Sequence, residues 1–590
     1  MEDSEDELYD PTKGIHNLVR EGKLDQLQTL LADSPALVHK GSLNGTPLAI
    51  AGRNGSVEAA RILLDAGAHP FEYQYFPPYM TALDVVSAYG NREMCQLVLE
   101  RLKAMSPTGI VVQGYDESKL LNMAMAEAAA NGHVDVVSDF LAMFDRTQEA
   151  MQAILRGAAG EWQPDVVDFI TERVEFEKPF LLEMLQHTLS GKHHDFVIYH
   201  DSDWEKQYRV VSRLIGAGGV DVSLPENGAP LLRQAIRVIE NQGGLRALLD
   251  KGVDPNTRWE NGCTALHLLV SPLRSPEMSK YYDLQFEMHE VGIRLLLDKG
   301  ASIATEDDDG ATALHWAAER CETQDFLHYH LPTDEVLLSS TNHYGESVLH
   351  YAAAGGKHET IEYLLTHCNF NANAVNSTNA WTPLICALAP NGARTPEEAK
   401  VKTEADAVKS ARILLRHGAD PHAVTADRWT VVHLLGSHKD LSERDCGRMV
   451  LSEDASAAAL ARELLSGLLK PEPAIESPSK VYYRVTGGEN KQAYDVKTVN
   501  LGDLWGGRLA KMITEGMNTS PPTIDVVQSR TPLHWAAERG AAGVAKVLRE
   551  LKGADEKAVD SDEKLPWDLA HNSRLIRDRK VRQATEDAVE

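Results

Sequence analysis

Five histidines recur in one local setting: His267, His315, His350, His433 and His534 each stand three residues after a threonine or serine. Imidazole titrates near neutral pH and serves acid–base catalysis, so the set invites a catalytic reading. Catalysis would need one histidine with a partner of its own, whereas these five repeat one pattern. A ring that ties the start of its own helix to a neighbouring backbone accounts for the recurrence, and that structural role is assigned to them. His193-His194-Asp195, followed by His200-Asp201-Ser202-Asp203, contains enough ligand types for a divalent metal. The histidines lack helical i, i+4 pairing and the segment is polar, so it reads as a solvated insertion. Gly506-Gly507-Arg508 with Lys511 has the composition of a phosphate loop without its spacing. Cys95, Cys263, Cys321, Cys368, Cys386 and Cys446 are scattered singly with no C-x-x-C pair, which suggests neither a disulfide framework nor a zinc cluster and fits a reducing compartment. There is no nucleophile elbow, dinucleotide fingerprint or H-E-x-x-H. The expectation is no catalytic residue, no cofactor and no metal.

The elements that carry the histidines are short helices in repeated units. Thr312-Ala313-Leu314-His315-Trp316-Ala317-Ala318 returns 35 residues later as Ser347-Val348-Leu349-His350-Tyr351-Ala352-Ala353. Where the motif is fullest, at Thr46-Pro47, Thr382-Pro383 and Thr531-Pro532, threonine caps a helix and proline takes the first helical position, which needs no amide donor. Small residues follow, letting this helix approach its neighbours, and Gly55, Gly355 or Gly540 is read as its end. A leucine-rich second helix comes next, as in Arg61-Ile62-Leu63-Leu64, Arg294 to Leu297 and Arg412 to Leu415, closed by Gly67, Gly300 and Gly418. One such unit cannot bury its own apolar face. Copies must stack, each touching its neighbours, into a solenoid.

The order of features resembles the ankyrin repeat, whose signature is T-P-L-H-x-A at about 33 residues per unit. The expected fold is therefore all-α: an ankyrin-type solenoid of about twelve helix-turn-helix units, with insertions and one β-hairpin. Motif starts at 264, 312, 347, 382 and 430 are separated by 48, 35, 35 and 48 residues. Two regular units thus stand between two longer ones, the extra residues lying near Ser271 to Glu290 and Ala389 to Ala407, between first and second helices.

Along the chain, residues 1–13 read as an acidic flexible tail, and 14–223 as N-terminal units that begin with a polar cap at Gly14 to Leu31. Phe71 to Tyr79 is an aromatic finger with tandem proline. The units at Ala124 to Leu141, Ala150 to Thr171 and Phe180 to Ile215 are increasingly degenerate. Residues 224–470 hold the central repeats. Residues 471–528 break the pattern, with Val481 to Val485 and Ala493 to Val499 flanking Gly487-Gly488 as a hairpin. Residues 529–590 hold the best-matching unit and a cap.

Lys and Arg number 59 against 87 Asp and Glu, a formal charge of −28. That excess repels phosphate and argues against nucleic acid or an anionic bilayer as the main ligand. The acidic start lacks a secretory core and no run of eighteen apolar residues occurs, so the expectation is an intracellular chain, cytoplasmic or nuclear, with no membrane insertion and a monomeric state.

The resemblance implies a non-enzymatic scaffold that binds one or more proteins through turn tips and the exposed positions of first helices. Carried onto this chain, the tips give Arg258, Trp259, Asp307, Asp308, Asp309, His343 and Tyr344. Trp316 and Tyr351, which follow motif histidines, could anchor a partner or pack against the adjoining turn. Trp381 and Trp429, just before capping threonines, are read as structural. Two alternatives stand beside the scaffold: a substrate adaptor of a ubiquitin-ligase or similar complex, recruited through 471–528, and an enzyme whose site lies in 180–228 or 471–528.

Overall fold

The computed structural model describes residues 14–42, 45–72, 80–105, 111–112, 114–190, 201–237, 241–270, 291–320, 339–378, 380–389, 402–426, 428–436, 456–465, 479–487, 494–499, 524–560, 562–573, 575–576 and 578–590. The chain divides into two compact units, Met1–Thr257 with Leu284–Lys299, and Arg258–Asp283 with Gly300–Glu590. Each is a stack of helix pairs, and the second also carries a small sheet.

In the first unit the pairs begin with Ile15–Arg20 and Leu24–Asp33 and continue to Pro225–Arg237 and Gln242–Asp250. First helices pack on first helices and second on second, so contacts run from each pair to the next. Sequence explains each element locally. Thr46 Oγ1 accepts from the Ala49 amide at 3.2 Å with Pro47 at the first helical position, and Thr382 does the same for Ile385. The core is aliphatic: Leu63, Val98, Phe140, Ile170 and Leu248 are wholly buried, each removing about 1.5–3 kcal/mol worth of apolar surface from water.

The degenerate region keeps this plan. Gln148–Gly160 pairs with Pro164–Thr171, and Lys178–Thr188 with Asp201–Ala217. The unit placed at Ala124 begins earlier, because Asp116 accepts from the Lys119 amide at 3.0 Å and starts the helix Glu117–Ala130. Two further boundaries differ from expectation. The helix read as ending at Gly355 runs through it, and Gly356, at φ 69°, makes the left-handed stop. The stretch read as an insertion to Ala407 already holds a second helix, Glu404–Arg416, capped by Thr403.

In the second unit the first helices include Ala313–Arg320, Val348–Gly355, Pro383–Leu388, Val431–Gly436 and Pro532–Arg539. The last two pack directly on each other, with the Trp429 and Trp535 rings 4.8 Å apart. Of the described residues between them, the helix Ala457–Glu463 packs on the second helix Ala542–Lys552. The same stretch includes a three-stranded antiparallel sheet of order β2-β1-β3, formed by β1 (Ser479–Gly487), β2 (Tyr494–Val499) and β3 (Ile524–Arg530). The hairpin is there, with Tyr482 opposite Val499 and Gly487 opposite Tyr494. The third strand was not anticipated, since its partner lies far upstream, Ser479 opposite Arg530.

β3 ends inside the repeat core. Arg530 is buried, its guanidinium 2.8 Å from Glu538 and 3.2 Å from the buried Asp560, and it lies over the Trp535 ring at 5.0 Å. The extra loop near 271–290, Cys321 and Cys446, the cluster at His193 to His200 and the Gly506 to Lys511 segment lie outside the described residues, as does the aromatic finger except at its base, where Phe71 is buried.

Candidate partner-binding surface

The recurrent histidines are helix caps. In the unit at 264, the amide of Thr264 donates to His267 Nδ1 at 3.2 Å, and the hydroxyl lies 2.9 Å from the same atom. The same pair of contacts recurs at His315, His350, His433 and His534. Nδ1 therefore accepts, which leaves Nε2–H to donate. At His267, His350 and His534 it does so to the following unit, reaching Ala311 O at 3.1 Å, Ala374 O at 3.2 Å and Lys564 O at 3.2 Å. The rings stitch one repeat to the next and meet no reacting group.

Burial favours the neutral ring: the pKa values of His267 and His315 are pushed down to about 4, and that of His534 is lowered, all chiefly by desolvation. His267 and His315 take up a proton near pH 6.5 when unfolded but only near pH 4 when folded. Their contribution is fully present above about pH 6.5 and is lost as pH falls towards 4. Asp307, whose carboxyl burial raises, acts with the opposite sign over a lower range. The expected result is a urea midpoint that drops between about pH 7.5 and about pH 5, with a slope of up to ~1.4 kcal/mol per pH unit for each histidine. A flat profile would contradict the neutral caps.

His267 and His315 also pack edge-on against the next unit's aromatic ring. Trp316 meets His267 with centroids 5.3 Å apart, and Tyr351 meets His315 at 5.0 Å. Both aromatic residues are 1% exposed. The Trp316 indole donates to Asp307 Oδ2 at 2.8 Å, and Tyr351 accepts from the Asn342 amide at 3.1 Å. Their polar atoms are satisfied within the fold and their rings fill the space between repeats, so neither is a partner anchor. Asp307 is likewise removed from the candidate surface, because it is the buried builder of its turn: Oδ1 accepts from the amides of Asp309 and Ala311. Trp381 and Trp429 are buried too.

What remains outside is a row of turn tips. Asn342 Oδ1 accepts from the Tyr344 and Glu346 amides as Asp307 does in its own turn, and Asn376 accepts from Trp381. Each turn is closed by a short antiparallel bridge, Glu306 with Thr312 and Thr341 with Ser347. Successive tips are hydrogen-bonded backbone to backbone. Asp308 N donates to Asn261 O at 2.9 Å, His343 N to Asp309 O at 2.9 Å, and Ser377 N to Tyr344 O at 2.8 Å.

Arg258, Glu260, Glu306, Asp308 and His343 are exposed on this row, while Trp259, Asp309 and Tyr344 are half-buried. Arg258 lies 3.2 Å from Asp308, and Tyr344 donates to Asp309 at 3.1 Å. Burial and the Asp309 carboxylate push the Tyr344 hydroxyl up to about 12, so it remains a donor. The structure thus brings together Arg258, Trp259, Glu260, Glu306, Asp308, Asp309, His343 and Tyr344, all of them legible as tip residues in the sequence. The signal for the turns was available as Asp307 or Asn342 followed three residues later by glycine.

A family model for ankyrin repeats, in three copies, matches residues 327–395, and a single ankyrin-repeat model matches 528–561. The chain carries ankyrin repeats. No curated protein matches it. The capped first helices, the stitched tips and the glycine-closed second helices are the ankyrin plan, and such repeats are in general protein-interaction modules. Among the described residues no helix is long and apolar enough to cross a membrane, and no group of three or more histidine, cysteine or acidic side chains is placed to hold a metal ion.

Proposed function

We infer that this ankyrin-repeat protein is a non-enzymatic scaffold that holds a basic surface of a partner protein against the tips from Arg258 to Tyr344. The observation that carries the reading is the backbone ladder from Asn261 through Asp308 and Asp309 to His343. It fixes neighbouring tips in register, so their side chains act as one surface whose backbone is already ordered before binding. Glu260, Glu306, Asp308 and Asp309 outnumber Arg258 on that surface, which favours positive charge on the partner. The caps occupy the five recurrent histidines in structural work.

The test uses crosslinking with mass spectrometry on the full chain in its native cell, wild type beside Glu306→Lys/Asp308→Lys. Both side chains are exposed, and the Asp308 pair with Arg258 is a surface pair worth about 0–1 kcal/mol, so the melting temperature should hold. Capture of the main wild-type partner should fall about tenfold or more, and the loss should be mimicked by raised salt. Equal capture by the variant would refute this surface.

A further inference from the structure

We propose that His267 and His315 form an acid gate beneath the tip row: a proton taken up by either ring undoes the cap beside its tip and releases the bound partner. The inference rests on the function proposed for the tips and adds its regulation.

The rings sit where the tips are anchored. Thr264 stands just after the turn closed by Trp259 N to Cys263 O at 3.0 Å, and Thr312 just after the turn closed by Asp307 N to Ala311 O at 2.8 Å. Each capped helix therefore begins where a tip ends. Both rings are wholly buried. His267 Nε2 reaches the Ala311 carbonyl at 3.1 Å, the same oxygen that closes the Asp307 turn. That turn holds Asp308 N and Asp309 O, which carry the ladder to the tips on either side. Displacing one imidazole thus disturbs the backbone of two tips.

Protonation forces that displacement through geometry. In both units Nδ1 accepts from a main-chain amide, that of Thr264 or Thr312, at 3.2 Å. The cap hydroxyl can turn to offer a lone pair, whereas the amide remains a donor. An imidazolium carries a hydrogen on Nδ1, so two donors would face each other in a site closed to water.

The surrounding charges do not hold the cation in place. Arg258 faces His267 with like charge, and a charged His267 would repel a charged His315. Glu346 attracts a proton to His315, but burial outweighs it. Asp307 is committed to two amides and the Trp316 indole. The other titratable groups on the packed first helices are Glu319, Arg320, His350 and Tyr351. His350 is itself a cap, and burial keeps the Tyr351 hydroxyl neutral.

The first compact unit lacks the device. Among its described caps, the residue three positions on is Ala49, Asp84, Lys119 or Ala150, never an imidazole. Burial raises the pKa of Asp84, so acid favours its folded form, the opposite sign from the rings.

The test is main-chain hydrogen exchange on the full-length wild type, corrected for the intrinsic rate at each pH. With ring pKa values of about 4 when folded, the opening equilibrium should rise about thirtyfold per ring from about pH 7.5 to about pH 5. Asp307 offsets part of this, which leaves a rise of about 100-fold or more at Asp308, Asp309 and the helices Ala265–Leu269 and Ala313–Arg320. Pro47–Asn54 and Gln148–Gly160 should change less than about threefold. His267→Asn/His315→Asn keeps an acceptor for each cap amide and cannot be protonated. Its exchange should stay nearly level, and at acid pH it should retain more of the crosslinked partner than wild type does. If that variant fails to fold, exchange at the C2 carbon of each histidine in the wild type reads the ring pKa directly, expected at about 4 for both.

A folded ring pKa near the ordinary 6.5, level exchange in the wild type, or equal acceleration in both units would each overturn the gate. A full acid response in His267→Asn/His315→Asn would do so as well. Exchange needs no partner, so the two readings separate. Opening as expected, with capture by Glu306→Lys/Asp308→Lys undiminished, would refute the binding surface and with it the partner release. Level exchange with diminished capture by that variant would refute the gate alone.

Discussion

Trp316→Ala should lower unfolding free energy by about 3–5 kcal/mol, the range for deleting a fully buried large aromatic. The ring is 1% exposed between two repeats, and removing it strips His267 of its edge-on neighbour. It also leaves Asp307 Oδ2 without its indole donor, a buried acceptor whose desolvation is no longer compensated. Trp316→Phe isolates that second effect: it keeps a ring and should cost about 1–3 kcal/mol. Urea denaturation measures both, and hydrogen exchange at the Asp309 and Ala311 amides locates the damage, because those amides donate to the Asp307 carboxylate. A loss below ~1 kcal/mol, the ordinary range for a surface substitution, would return Trp316 to the binding surface.

Arg530→Met should be comparably severe. The guanidinium sits between Glu538 and Asp560 with only 5% of its side chain exposed, and Asp560 is more deeply buried still. Taking the cation away leaves two carboxylates facing each other out of water, a change that costs about 3–5 kcal/mol. The triple variant Arg530→Met/Glu538→Gln/Asp560→Asn removes the stranded charges and should recover most of the loss. Thermal melting followed by hydrogen exchange in Pro532–Arg539 distinguishes this from general destabilisation. If the single and triple variants melt together, the charges are not what holds β3 to the repeat.

Much of this fold was written in local patterns. A threonine followed by proline and alanines gives a capped helix that packs closely, and the recurrence of His267, His315, His350, His433 and His534 marks a cap because position, not partner, is what repeats. The turn tips were legible for the same reason, since Asp307 and Asn342 serve their own loops. Exposure was harder to read. Trp316 follows its histidine in a stretch that is apolar all round, so no periodicity says whether the ring faces out or into the next repeat. That depends on the His267 ring, 49 residues earlier in the chain.

Long-range placement was also illegible. β3 has no glycine turn beside it, and its pairing with Ser479–Gly487 joins segments with dozens of residues between them.

The direct stacking of Val431–Gly436 on Pro532–Arg539 has a consequence for how the polypeptide can be divided. Since the helices on either side of the excursion already bind each other, covalent continuity across it is dispensable to the stack. Two separately expressed fragments, 1–465 and 524–590, should find one another and co-purify, a natural break point for building a split reporter on this scaffold.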